Sequence, residues 1–552
     1  MLSARTRGAA RDWRTWPWWI LGVLAIAAGL WLRLYQLRTQ TLIDDEWHAV
    51  RVLIESNALG IATHFGIADY CIPLTLYYRW LFDLGALGEW QMRLPLLIGG
   101  IALILVAPLL LRRSVPAPVR AVWMALIAIS PVLTYLSRTA RPYALSCLFG
   151  FVAIVAFRCW HRREGRGWAV VYVVAAVLAA WLHLLSIVFT LWPFVWFGVP
   201  ALRDALRARS RGDLLRIVAL AVATVAGLAL VLAPPLLSDW RAMAAKAGTD
   251  ALTLDTLYRS LLMMLGISSA WLCVALAIVL ALGLWRLFSR ERDLALYILS
   301  TMLVGMAAIA LARPAWIQHQ QTFVRYALPI LPFVLLFLAE GIVFVVSQLR
   351  LQPLAAAAAA LVVVGLVFAG PLPGYYYFPN QFMGHALFQF DYDARENPYA
   401  TRVELGAVPA FYRDLSTRPP GSITLIETPA RLISHYLPDP WYQKIHRQNV
   451  KFALIAPVCG EGIGDEFPYT AGGTDFRRVA KLADLMNGAT WGGDYLVLRM
   501  QPWSEPPGLE DPWPDMSACA AKVEARLGAP VYRDDRVTVF ALSAHAASST
   551  SR

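Results

Sequence analysis

The feature that most constrains this chain is a series of long apolar runs separated by short segments rich in arginine. After a first run near 16–34, others follow near 94–111, 119–136, 143–160, 168–184, 186–201, 215–236, 262–285, 294–312, 326–346 and 354–370. A helix needs roughly 20 residues to cross a hydrocarbon core of about 30 Å, and most of these runs are that long. In lipid the backbone has to satisfy its own hydrogen bonds, which leaves helices as the form these runs can take. Only 16% of the 552 residues are charged and 58% are hydrophobic, against roughly 25% charged in ordinary soluble domains. The fold class is therefore a polytopic α-helical membrane protein of about eleven transmembrane helices over residues 1–370. The runs at 168–184 and 186–201 are short and nearly continuous, so their boundary is the least defined.

Arginine placement orients the spans. Arg5, Arg7, Arg11 and Arg14 precede the first run, which puts the N-terminus in the cytoplasm. If the spans alternate, Arg112, Arg113 and Arg120 fall in one cytoplasmic loop, and Arg162, Arg163 and Arg166 in the next. Arg203, Arg207, Arg209 and Arg211 fall in a third, Arg286, Arg290 and Arg292 in a fourth, and Arg350 in the last. The net charge of +12 is accounted for by this sorting, so nucleic acid is not an expected partner. The 22 tryptophans suit aromatic belts at the two interfaces. An odd number of spans places everything after Gly370 outside the cytoplasm, on the same side as the first loop, about 35–92. The first run lacks a small-residue cleavage site and reads as an anchor. The expected location is the cell inner (plasma) membrane, crossed many times and in contact with its lipids.

From 371 to 552 the chain is polar and aromatic-rich, with Tyr375, Tyr376 and Tyr377 as an interfacial anchor. Strand-like runs at Ser422–Glu427, Lys451–Ala456, Tyr495–Met500 and Val537–Leu542 alternate with helix-like segments at Pro429–Tyr436, Arg477–Met486 and Met516–Leu527. This pattern predicts a small extracytoplasmic α/β domain. It contains no phosphate-binding glycine loop. Of the six cysteines, Cys459 and Cys519 both fall in this domain and are the candidate disulfide. Cys147, Cys159 and Cys273 lie in or beside apolar runs.

Three adjacent carboxylates, Asp44, Asp45 and Glu46, follow the first span. Crowded carboxylates raise one another's pKa unless a cation or hydrogen bond relieves them, which suits general-base or metal-binding work. The same residues could equally cap the next helix in a solvated loop. Arg138 and Arg141 sit in a very short external turn, against the positive-inside pattern, where an anionic partner would explain them. Snorkelling at the interface is the simpler alternative. Arg325 lies in a second external cluster, Gln318 to Tyr326, just ahead of a span. His64 and His183 would matter for metal binding or proton transfer only if they converge on the triplet.

Taken in order, four features resemble the GT-C class of membrane glycosyltransferases, in the branch of the protein O-mannosyltransferases and the aminoarabinose transferase of lipid A. They are Asp45-Glu46 after the first span, and Pro73 to Tyr78 leading to Arg93-Leu94-Pro95. The others are Arg138 to Tyr143, and Arg325-Tyr326 to Pro329 entering a late span. The resemblance covers roughly the first 350 residues. It implies a sugar donor on a polyprenyl phosphate, with Asp45 as the base and Glu46 and Asp44 as neighbours that tune or orient it. It also implies Arg138, Arg141 and Arg325 at the donor phosphate, and His48, His64, Tyr77, Tyr143 and Tyr326 as substrate-site candidates. Family members commonly carry a basic residue or a His-Pro pair just before the Pro-Leu run, where this chain has Tyr70-Cys71-Ile72. The implied reaction is an inverting transfer to a lipid, glycan or protein acceptor on the extracytoplasmic face. Metal dependence is open: the adjacent carboxylates offer oxygen ligands to a divalent cation, and a base needs none. The competing expectations are a transporter or flippase of a lipid-linked sugar and a non-catalytic envelope assembly factor.

Overall fold

The computed structural model describes residues 16–35, 37, 46, 52–53, 56–66, 71–207, 211–248, 250–267, 269–349, 351–373, 408–428, 446, 448–452, 493–501 and 516–542. The first span is α1 (Trp16–Leu34). After it come two short helices, α2 (Ala58–Thr63) and α3 (Ile72–Asp83). The bundle continues with α4 (Glu89–Leu110), α5 (Ala117–Ile129), α6 (Pro131–Ser137), α7 (Tyr143–His161), α8 (Gly167–Leu182) and α9 (Ser186–Leu206). It is completed by α10 (Gly212–Ala245), α11 (Leu254–Leu265), α12 (Ala270–Arg290) and α13 (Arg292–Ala312). The last spans are α14 (Gln320–Ala327), running through a 3-10 turn into α15 (Leu331–Val346), and then α16 (Gln352–Ala369).

Among the described residues nine helices, with α14 and α15 taken as one, are long and apolar enough to cross a membrane. The pair α5 and α6, bent by 58°, brings the number to ten if taken as one span, against the eleven expected; α8, expected as a further span, is apolar but only 16 residues long. The uncertain boundary falls at His183-Leu184-Leu185. One expected span is shifted. The run near 262–285 divides because Gly266 takes the left-handed conformation (φ 74°) and ends α11. Ser269 then caps α12 by accepting from Leu272 N, so the crossing helix starts at Ala270.

Large apolar side chains on α10, α12 and α16, among them Leu230, Trp271 and Phe368, are exposed, as lipid-facing helices require. The buried centre is built on α7 and α15, where the Phe151 and Phe333 rings lie 4.9 Å apart. Helices α12 and α15 cross at glycines. A Cβ on Gly283 would lie 1.7 Å from Phe337 O, and one on Gly341 would lie 1.9 Å from Val279 O. Such small-residue crossings let helix backbones approach closely in lipid. Gly341→Val is expected to cost at least about 1–3 kcal/mol of stability, the usual range for overpacking. A lowered unfolding midpoint in detergent is the check, and an unchanged midpoint would show that the crossing can open without cost.

The break between α5 and α6 has a specific remedy. Pro131 has no N–H to give Ile127 O, the partner that a continuous helix would supply. The fully buried Arg33 of α1 donates instead, from Nη2 to Ile127 O (3.3 Å) and from Nη1 to Ala128 O (2.9 Å). Its Nε donates to Ser137 Oγ at 3.2 Å. At the opposite end of the bundle, Arg290 pairs with the buried Glu340 and donates to Ser114 O (3.3 Å). There Arg158 lies 3.5 Å from Glu291.

The C-terminal part holds α17 (Ala410–Leu415), α18 (Met516–Leu527) and one sheet. Its strands are β1 (Thr424–Thr428), β2 (Asn449–Phe452), β3 (Tyr495–Arg499), β4 (Tyr532–Arg533) and β5 (Val537–Ala541). The order is β2-β1-β3-β5-β4, with β2, β1 and β3 parallel and β5 antiparallel to β3 and β4. The small α/β fold is therefore present, with α17 and β4 added to the expected elements. The segments Pro429–Tyr436 and Arg477–Met486 lie outside the described residues. Cys519 is disulfide-bonded and buried under the sheet, whereas its expected partner Cys459 lies outside the described residues. Cys71, Cys147, Cys159 and Cys273 are free and buried.

One buried apolar cluster runs from Val52, Leu53, Leu81 and Phe82 to Phe411, Leu415, Tyr495 and Val537. The sheet therefore sits at the end of the bundle that carries α3.

Candidate active site

The turn between α6 and α7, Arg138 to Pro142, is the hub of that end. Of the acidic triplet, Glu46 is described, and it is fully buried. Arg93, near the start of α4, grips it with two parallel bonds, Nε to Oε1 at 2.9 Å and Nη2 to Oε2 at 2.7 Å. Neither side chain is exposed. A buried carboxylate is tolerable only when paired and hydrogen-bonded, and the fork of Arg93 does both. The Ala140 backbone N–H donates to the same Oε1 at 2.5 Å. On the other side of that residue, Tyr78 of α3 donates its hydroxyl to Ala140 O at 3.0 Å. Burial first, then the nearby Cys71 and Glu46, push the Tyr78 phenol up from its ordinary pKa, while Arg141 pulls it down. Tyr78 therefore stays a hydrogen-bond donor. Three separate segments, around 46, 78 and 93, are bolted to one turn.

The next residue of that turn belongs to a second cluster. The guanidinium of Arg141 lies 5.9 Å from the centre of the Tyr143 ring, and that of Arg325, from α14, lies 5.0 Å from the same ring. The His183 ring, in the turn between α8 and α9, lies 5.9 Å from Tyr143 and 5.1 Å from Tyr326. Positions far apart in sequence thus bring two cations and three rings together. Burial first, then Arg141 and Arg325, push the imidazole down to about 4, so it is neutral near pH 7. Two arginines facing one aromatic floor are suited to an oxyanion bound by bidentate hydrogen bonds.

Four of the expected site residues, Arg141, Arg325, Tyr143 and Tyr326, are brought together in this way. Arg138 is not with them. It is buried and donates from Nη1 to Leu32 O (2.9 Å) and Tyr35 O (2.7 Å), closing the end of α1. The last carbonyls of a helix lack intrahelical donors, and a cation there also suits the helix dipole. Tyr77 ties α3 to α4 through its hydroxyl on Gln91 O at 2.9 Å. His64 closes α2, with Nδ1 at 2.9 Å from Thr63 Oγ1 and 3.2 Å from Gly60 O. Asp44, Asp45 and His48 lie outside the described residues. Among the described residues no three His, Cys, Asp or Glu side chains converge as a metal site.

Arg93 and Arg33 were not singled out as site or core groups from sequence, although a signal existed for each. Arg93 stands in the Arg-Leu-Pro motif. Arg33 sits at the end of the first span expected to face outward, against the same charge rule that marked Arg138 and Arg141. His183 converges on the arginines and not, among the described residues, on the acidic triplet.

No family model matches the chain, and no curated protein matches it in sequence. Solved structures do resemble it. One is ArnT from Cupriavidus metallidurans in the apo state, with 16% identity, a TM-score of 0.46, and coverage of 96% of this chain and 98% of that one. The same protein bound to undecaprenyl phosphate aligns at 14% identity and a TM-score of 0.46, covering 95% and 98%. The oligosaccharyltransferase AglB from Archaeoglobus fulgidus, in complex with an inhibitory peptide and a dolichol-phosphate, aligns at 11% identity and a TM-score of 0.38, covering 89% and 70%.

Proposed function

We propose that this chain is an inverting glycosyltransferase that moves a sugar from a polyprenyl-phosphate donor to an acceptor on the extracytoplasmic face. The observation that carries this reading is the joining of two groups at one turn. Glu46 is held by Arg93 and Ala140 N, and the next residue, Arg141, faces Arg325 across Tyr143. A carboxylate loop and an anion-binding pair therefore share one end of the bundle.

In this reading Asp45, covalently next to the anchored Glu46, takes the proton from the acceptor hydroxyl as that oxygen attacks the anomeric carbon. The bond from the anomeric carbon to the phosphate oxygen breaks, and its electron pair stays on the phosphate. Arg141 and Arg325 stabilise the charge that develops there. Nearby carboxylates stabilise the oxocarbenium character of the transition state. A single displacement inverts the anomeric centre. Glu46, whose oxygens are engaged by Arg93 and Ala140, is a positioning residue here and not the base. A divalent cation at the acidic triplet is compatible with this scheme and depends on Asp44 and Asp45. The cytoplasmic N-terminus follows from the arginine sorting along the sequence.

The test is transfer of labelled sugar from a membrane lipid extract by wild type and Asp45→Asn at matched expression. Label moving to an acceptor with the wild type, and falling by about 10²–10⁴-fold in the variant, is the expected result. Equal transfer by both proteins would remove Asp45 from the mechanism. A transporter would move label across a vesicle without changing its chemical form.

A further inference from the structure

His183 has a role that the transfer step above does not use. Its ring is partly buried between Tyr143 and Tyr326, and the two charged groups acting on it are Arg141 and Arg325. Among the described residues, no carboxylate acts on the ring. Helix α8 has no charged residue, and α9 has none before Arg203. Of the helices packed on α8, α7 carries Arg158 and His161 in its last turn, far from Tyr143, with Arg158 against Glu291, and α3 brings Arg79 and Asp83, which pair with each other, and the Tyr78 hydroxyl, which is spent on Ala140 O. From α10, Asp239 accepts from Gly66 N. Among the described residues neither ring nitrogen of His183 has a hydrogen-bond partner. A neutral imidazole is thus held beside two cations with its polar atoms unused.

We propose that His183 takes up a proton when an organic phosphate binds at Arg141 and Arg325, becoming the third cation of the site and a hydrogen-bond donor to the anion. This inference rests on the lipid-phosphate reading of the site. Without an anion the two arginines repel a charge on the ring, and its partial burial weakens the hydration of the charged form. A bound anion cancels that repulsion and restores the ring toward its ordinary value near ~6.5. The proton comes from solvent, and no other bond is made or broken. Its consequence follows from the charge of the ligand. A sugar phosphodiester carries one negative charge, whereas the released lipid phosphate is a monoester whose second ionisation lies near ~6. Protonation of His183 therefore tightens binding of a singly charged ester as pH falls, whereas the second ionisation of the released phosphate works in the opposite direction, so an ester that does not titrate isolates the contribution of His183.

The experiment is calorimetric titration of the full-length protein in detergent with farnesyl phosphate and with farnesyl sulfate, whose charge does not titrate near neutrality. It is run in two buffers of different ionisation enthalpy, between pH 5 and pH 7. With the sulfate, the wild type is expected to take up protons and to bind up to about tenfold more tightly per unit fall in pH below ~6.5. His183→Gln is expected to bind with no uptake and no slope. Wild-type binding that is flat across this range, with no proton uptake, overturns the proposal, and because that measurement needs no variant, misfolding of His183→Gln cannot obscure it. The site itself is tested by Arg141→Ala and Arg325→Ala. If they weaken binding of both esters but no protons are taken up, only the role of His183 fails. If they leave binding unchanged, or if neither ester binds the wild type at pH 5, the phosphate reading fails as well.

Discussion

Replacing Arg93 with methionine is expected to destabilise the protein by about 3–5 kcal/mol, the cost of leaving a buried charge without its partner. Glu46 would keep the Ala140 N–H but lose both bonds and the charge of Arg93, in a place with no exposure to water. Its carboxyl would then have to take up a proton or drag the loop into solvent. Either outcome frees the segment that carries Asp45, so sugar transfer should fall with stability. Removing both charges separates these effects. In the double variant Arg93→Met with Glu46→Leu, no buried charge is left unpaired, and much of the stability should return. Transfer should not return, because the bolt between the loop and Ala140 is gone. The measurements are the unfolding midpoint in detergent and label transfer on the same preparations. A single Arg93→Met variant with an unchanged midpoint would refute the account of this pair.

The second large effect is expected at the arginine pair. Arg141→Ala and Arg325→Ala should each lower the transfer rate by about 10²–10³-fold, as when one preorganised donor to a developing oxyanion is lost. Lysine at either position keeps the charge but loses the bidentate fork, so it should recover part of the rate. Because both groups act on one phosphate, the double variant should lose less than the product of the two single losses. Arg138→Ala provides the contrast, since its guanidinium closes α1 at Leu32 O and Tyr35 O. Its loss should register first in the unfolding midpoint. Transfer within about threefold of wild type for both Arg141→Ala and Arg325→Ala would remove them from the chemistry, since a lost donor should cost far more.

The contrast between these arginines shows how far the sequence could be read. Arg138 and Arg141 are three residues apart in a turn of the same composition, and the charge rule marks both equally. That rule detects a cation on the side of the membrane where cations are rare, and it does not register what the guanidinium touches. Arg138 turns back to the end of α1, and Arg141 turns to Tyr143 and the neighbourhood of Arg325. The same holds for Glu46. Three adjacent carboxylates suggested shared chemistry, yet the described one is committed to Arg93, 47 positions away.

By itself the sequence determined where the apolar runs lie, their order and the alternation that brings 138–142, 183–185 and 320–326 to one end. It also showed the alternation of strands and helices in the C-terminal part, whereas the strand order and the parallel and antiparallel pairings came only from the fold. The features it determined are local, set by apolar length, by helix caps such as Gly266 and Ser269, and by strand periodicity. Only the tertiary structure decided which buried cation answers which oxygen. Arg33 satisfies the carbonyls freed by Pro131, Arg93 takes Glu46, Arg138 closes α1, and Arg141 and Arg325 meet over Tyr143. The reason is physical. In a low-dielectric bundle every buried charge and every freed carbonyl must find a partner, and packing of helices distant in sequence chooses which one.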